Sequence, residues 1–363
     1  LSDQPCSKDE EPIAAHFANG NSWELCWSIA ADVGLSIRRA TFETDEGATP
    51  VLAEASLAQI HVPYDDGSIS ELDMPVFGTT TSDLSKEICP DQIYESESGA
   101  LCASITDDGL RYAWSDLDFE TGDHTGRGQC LQIFTMTPVN WYTYLNQWLF
   151  CDEGSVKPSV GAGGKLAPQF FGDDHTGEPL GAGSSDNRLS HFHNVFWRLR
   201  FDLGQSRVTL VSTDQDQARV STTETAINSE QALVEKSNTN VRVESTRMSN
   251  ADGHVIAYDL DHHNDAPYRD PIGAPYTAAD IYVTQDRDCE RLAAQNPTEE
   301  GCSSSVDTFV NAEAIQLPVL WVQVGFHHIP RDEDQPVMNE HWQGFSMTPR
   351  SLTTKNHDTK HLD

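Results

Sequence analysis

The sequence predicts an all-β fold, a large β-sandwich with few short helices. Two observations carry that expectation. Stretches with apolar residues at helical spacing are scarce, whereas eight short segments rich in β-branched, aromatic and aliphatic residues recur along the 363 residues. Turn-forming Gly, Asp, Ser and Asn separate them, which is the pattern of strands joined by short connections in a sandwich. No repeat or composition break divides the chain, so residues 1–363 read as one domain.

Taken in order, the first strand is "ASLAQIHVPY" (55–64), a nearly continuous apolar run suited to a buried strand. "GQCLQIFTM" (128–136) and "HNVFWRLRFDL" (193–203) follow, the latter mixing aromatic and aliphatic side chains with two arginines. "SRVTLVST" (206–213), "VRVEST" (241–246) and "HVIAYDL" (254–260) are short and rich in Val and Thr or Tyr. "ADIYVTQ" (279–285) and "PVLWVQVGF" (318–326) complete the set. The clearest helical candidate, "SEQALVEKS" (229–237), is brief. Residues 153–188 are glycine-rich and nearly structureless by pattern, and a loop that long inside a compact domain is usually functional or disordered. The polar end, 351–363, reads as a flexible tail.

The charge balance narrows the classes of partner. Fifty-seven acidic residues stand against 23 basic ones, a formal charge of −34, and only seven of the basic residues are lysines. Nucleic acid and anionic membrane both require a basic footprint, so neither is expected as a partner. Such a surface suits solubility, and it also attracts cationic substrates such as amines.

Eight cysteines lie at positions 6, 26, 89, 102, 130, 151, 289 and 302, with no C-x-x-C pair among them. Zinc-ribbon and thioredoxin-like readings therefore fail. The local pairs Cys89/Cys102 and Cys289/Cys302 would close short loops as disulfides, which favours an oxidising, secreted setting. A start at Leu1 suits a mature secreted chain. The longest apolar run, 317–326, is interrupted by Gln323 and falls short of a membrane span. No N-x-[ST] sequon is present apart from one with an intervening proline.

The chemistry concentrates in "LSHFHNVFWRLRFDLG" (189–204). His191 and His193 are two apart, so on a strand both imidazoles point to one face. A third histidine signal, "VGFHHIPRDEDQPVM" (324–338), lies far downstream. Three imidazoles without a cysteine cluster suit copper, zinc, iron or nickel.

Together these two segments resemble the catalytic domain of the copper-containing amine oxidases. That family carries an H-x-H followed by a Phe/Arg/Leu-rich strand, and later H-x-P-R-x-E-D-x-P-V-M. The resemblance extends to "PVLAEASLAQIHVPYDDG" (50–67) and "DIYVTQDRDCERLAAQNP" (280–297), and covers nearly the whole chain. Only the catalytic domain is represented, without the smaller N-terminal domains of many members. Cys89 and Cys102 fall where the family has a short-range disulfide.

The resemblance implies copper on His191, His193 and His328, the last being the histidine that precedes I-P-R. Met338 is expected nearby without being a strong ligand. It also implies topaquinone, an organic cofactor that the family makes from one of its own tyrosines within N-Y-[DE]-Y. In "TPVNWYTYLNQWLFCDEG" (137–154), alignment on Trp148 places Tyr142 at the precursor position and Tyr144 at the following tyrosine. Trp141 stands where Asn is expected, and Thr143 where Asp or Glu is expected. A one-residue slip would align Asn140 with the signature Asn and put Trp141 at the cofactor position.

By the same resemblance Tyr64 is the tyrosine that hydrogen-bonds the quinone, and Asp73 of "LDMPVFG" (72–78) is the general base. A base in a partly desolvated pocket has its pKa raised toward neutrality, which suits it to take the substrate α-proton. The family's peripheral calcium-type site is expected to be lost, since Arg200 replaces its first carboxylate, Asp202 is kept and Leu317 occupies a later aspartate position. The polar segment 259–280 reads as a hairpin arm of the kind that family dimers exchange, so a homodimer is expected.

Two functions follow. One is a secreted oxidase that converts a small primary amine and dioxygen to aldehyde, ammonia and hydrogen peroxide. The other is a catalytically degenerate relative that keeps the fold, with or without copper, for a structural or binding role. The chemical state of Tyr142 discriminates them.

Overall fold

A computed structural model describes residues 6–67, 70–115, 123–168, 170–172, 176–181, 187–262, 267–297, 302–356 and 359. Two large antiparallel sheets dominate it. The first has nine strands, and its middle is formed by Gly47–Pro63, His191–Phe201 and Pro318–His328, hydrogen-bonded side by side. The second has eleven, with Val156–Gly164, Tyr142–Cys151 and Asp123–Val139 at its centre. Met338–Gly344 pairs beside Val156–Gly164.

The inner faces of the sheets meet over a core that includes Trp23, Trp27, Trp148, Trp197, Phe42 and Phe150, all essentially inaccessible. Trp23 on the first sheet stacks edge-on against Phe150 on the second, with centroids 5.2 Å apart. Its indole N–H donates to the Cys151 carbonyl at 2.8 Å. Burying that ring therefore leaves no unmet donor. Central strands buried on both sides read as near-continuous apolar runs, and for that reason 318–326 and 193–203 were conspicuous in the sequence.

Four expectations change. Residues 229–237 do not form a helix: Gln231–Leu233 is a short edge strand paired with Ile281–Gln285. A nine-residue helix is marginal without tertiary support, and here the backbone of Glu230 and Glu235 is claimed by Glu313 and Asp280. The glycine-rich stretch is not one loop, since Val156–Gly164 is a central strand. Its glycines admit close neighbours, as at Gly161 against the Trp342 ring. Part of 153–188 lies outside the described residues.

The expected tail is anchored over its first residues. Leu352 is buried, Asn250 donates to the Thr353 carbonyl at 3.2 Å, and Thr354 N donates to the Glu46 carboxylate at 3.1 Å. Its last residues, apart from Thr359, lie outside the described set. Finally, the expected arm folds back on its own chain. Tyr276 and Thr277 are buried, and Tyr276 packs in a second cluster with Phe196 and Trp321. Residues 263–266 of that segment lie outside the described set. The hairpin of Ser206–Asp216 and Arg219–Ile227 projects instead, with residues 213–226 exposed on both faces.

Cysteines 6 and 26, 89 and 102, 130 and 151, and 289 and 302 form four disulfides, including both local pairs expected from spacing. No described helix is long and apolar enough to cross a membrane.

Candidate metal and redox centre

The histidines converge because of register. His191 and His328 are direct partners across the His191–Phe201 and Pro318–His328 strands, and His193 faces Phe326. Alternation turns His191 and His193 inward and Phe192 outward, where Phe192 stacks on His327 with centroids 4.2 Å apart. His327 leaves the centre for Asp65, at 2.9 Å from Nε2 to the carboxylate.

From the opposite sheet, Tyr142 and Tyr144 enter as residues i and i+2 of one strand, rings stacked with centroids 5.9 Å apart. The Tyr142 hydroxyl lies 2.7 Å from His191 Nε2 and 3.1 Å from His328 Nδ1, and 3.9 Å from Met338 Sδ. Trp141 lies in the turn before this strand and packs edge-on against Phe170 at 5.2 Å. Asn140 precedes it with φ +54°, a left-handed conformation that asparagine tolerates in a tight hairpin. In this arrangement Tyr142, not Trp141, meets the histidines.

Hydrogen bonds fix which nitrogens carry lone pairs. Tyr144 donates its hydroxyl to Asp73 Oδ2 at 2.8 Å and lies 3.1 Å from His193 Nδ1. Its oxygen therefore accepts from Nδ1–H, which leaves His193 Nε2 with a lone pair. That atom is buried without a hydrogen-bond partner. The Asp334 carboxylate accepts from His328 Nε2 at 3.1 Å, so His328 Nδ1 is the lone-pair nitrogen facing Tyr142. Burial holds all three imidazoles below their usual pKa, His191 at about 3, with neighbouring imidazoles adding to the effect. Neutral imidazoles with free nitrogens are what a borderline transition metal requires, so these residues fit copper.

Asp73 sits at the start of a 3₁₀ turn, Met74–Val76, its backbone N–H bonded to the Ile60 carbonyl at 3.0 Å. Burial pushes its carboxyl up to about 6, against the lowering effect of the Tyr144 hydrogen bond, with nearby Glu71 adding a smaller upward push. Tyr64 is buried between the Phe170 ring at 4.6 Å and the His191 ring at 4.8 Å. Burial raises its phenol pKa, so the hydroxyl keeps its proton.

Sequence reading gave Tyr144 no role and passed over His341, whose ring lies 4.7 Å from His328. A two-residue spacing from Tyr142 was the available signal for Tyr144; nothing local marked His341. Arg200 reaches the carboxylates of Asp286 at 3.4 Å and Glu54 at 3.9 Å.

The two-sheet sandwich thus encloses three neutral imidazoles, a tyrosine among them and a buried carboxylate beside them. The chain belongs to the copper amine oxidase family: the model of that family's enzyme domain matches residues 14–362. The primary amine oxidase of Arthrobacter sp. (strain P1) is 24% identical over 403 residues, covering 95% of this chain and 61% of that protein. Primary amine oxidase 2 of Arabidopsis thaliana is 25% identical over 405 residues, at 96% and 59% coverage. The chain thus spans about 60% of the length of these relatives. Among solved structures, a copper-containing benzylamine oxidase from Hansenula polymorpha shares the fold with TM-score 0.78 at 20% identity, covering 99% of this chain and 65% of that one.

Proposed function

We propose that this chain is the catalytic unit of a primary-amine oxidase that yields aldehyde, ammonia and hydrogen peroxide. The observation that carries the reading is the Tyr142 hydroxyl, held between His191 Nε2 and His328 Nδ1. His191, His193 and His328 would hold copper, and Tyr142 would be the source of topaquinone. Those groups, when present, take electrons from the amine and return them to dioxygen.

The chain's own residues supply the rest. Asp73, with a carboxyl near 6, is ionised at neutral pH yet basic enough to take the α-proton of a bound amine. The Tyr144 hydroxyl fixes one oxygen of that carboxylate. Tyr64 offers a protonated hydroxyl beside the histidines. The Phe326 ring stacks on His193 at 4.8 Å and excludes water from that imidazole. The same reading includes a homodimer and a secreted setting. The projecting 213–226 hairpin supports the first, and four disulfides with no free cysteine among the described residues support the second.

The test is peptide mass mapping across 128–157 of copper-loaded, aerated protein, with quinone redox staining alongside. Two oxygens gained and two hydrogens lost at Tyr142 are expected. An unmodified Tyr142 with copper bound overturns the oxidase and leaves the degenerate relative.

A further inference from the structure

Behind the inner trio lies a second group of ligands that the proposed reaction does not use. His328, Asp334 and His341 each present an atom within 4.8 Å of the others. The two imidazoles meet edge-on, and the other face of this corner is covered by Phe326, 5.6 Å from the His341 ring. Asp334 is 2% exposed, and its Oδ2 accepts from the Arg331 backbone at 2.9 Å and from His328. Its guanidinium neighbour, Arg331, stands 3.6 Å away at Oδ1 and is largely in solvent. A buried carboxylate requires a close cation or a full set of donors, and this one has two neutral donors on Oδ2 and a solvent-exposed guanidinium at ion-pair distance from Oδ1. His341 is half-buried, paired through its strand with Ala162, and its imidazole makes no hydrogen bond among the described residues.

We propose that His328, Asp334 and His341 form a second cation seat for a divalent transition metal such as zinc or copper, with His328 shared between this seat and the inner trio. One His, one carboxylate and a second His form a common ligand set for such ions, and a water would complete a tetrahedral site. The ion bonds to His328 Nε2 and displaces that nitrogen's proton to solvent. The ion then takes over the neutralisation of Asp334 that the Nε2–H bond performs in its absence. His341 is the residue that converts a histidine–aspartate pair into a site, because two ligands alone hold such an ion weakly. The seat is independent of whether Tyr142 is processed.

The experiment is metal analysis of the full chain after stripping with chelator, loading with excess Zn²⁺ or Cu²⁺ and desalting. Wild type is expected to retain about two ions per chain and His341→Leu about one, while the double variant His191→Ala/His193→Ala keeps the His341-dependent ion. Thermal melts of the stripped proteins check that each variant folds, and His341→Gln serves if His341→Leu does not. A single ion in wild type that His341→Leu removes but the double variant keeps supports the outer seat and removes the inner one. Retention that is the same in wild type and in the His341 variants overturns the proposal, as does wild type that binds no ion.

Discussion

Asp73 and Tyr144 show how two ordinary side chains become a tuned pair. The carboxyl is raised from 3.8 to about 6 because burial penalises its charge more than the Tyr144 hydroxyl relieves it. Asp73→Asn is expected to keep the Tyr144 hydrogen bond and lower kcat by roughly 10²–10⁴-fold. If the chain oxidises amines, its rate is expected to rise with pH through about 6, as the carboxylate forms, and a steady-state pH profile checks this. Stability runs the other way. With the folded pKa above the unfolded one, the folded chain binds more protons between about 4 and 6, so stability falls as pH rises through that window. Above it the ionised group costs about 3 kcal/mol at most. Asp73→Asn should therefore be more stable than wild type at pH 8 and nearly equal to it near pH 3.5 by denaturant titration. At this scale the shared direction of His191 and His193 was legible, because H-x-H on a strand implies a shared face. The Tyr144 bridge and His341 were not: the first depends on side chains that meet from segments far apart in sequence, the second on the pairing of Met338–Gly344 with Val156–Gly164.

At the level of elements, the hairpin that presents Tyr142 depends on how closely its neighbour approaches. Gly164 pairs with Tyr142 at φ +117°, and a Cβ there would lie 2.5 Å from the Trp141 carbonyl oxygen. Gly164→Ala must move the turn and, with it, the Tyr142 hydroxyl. Expected are a loss of about 1–3 kcal/mol in denaturant titration and weaker copper retention on dialysis. Gly163→Ala is the control, because its Cβ would meet the flexible end of Glu340 at 3.2 Å and should cost less. Equal behaviour of the two variants would refute this account. The same close packing explains why 153–188 was misread. A strand interior made of glycine has no β-propensity to detect, and its place is set by partners such as Trp342. The helix over 229–237 failed for the complementary reason, local composition yielding to edge pairing with Ile281–Gln285. Strands with two buried faces were legible, since burial itself writes the apolar run.

Over the whole molecule, the charge of −34 is distributed unevenly by function. Many of the scarce arginines are committed inside the fold: Arg38, Arg198 and Arg291 all pair with Glu54, and Arg198 also pairs with Asp286 at 2.5 Å. Such pairs hold the strands that carry the site, yet they remove positive charge from the surface and leave a field dominated by carboxylates. An alkyl primary amine is an ammonium at neutral pH, as a lysine side chain is. A field of this sign raises its local concentration and its rate of encounter, an effect that salt screens over about 8–10 Å. If the chain oxidises amines, kcat/KM for an alkyl monoamine should fall several-fold between about 10 mM and 300 mM NaCl. The fall should be steeper for a diamine carrying two charges. The change belongs in KM, because steering acts on encounter, whereas Asp73 and the histidines sit in a buried centre that salt does not reach. A kcat that falls while KM stays constant would place the salt effect inside the site and refute the steering argument.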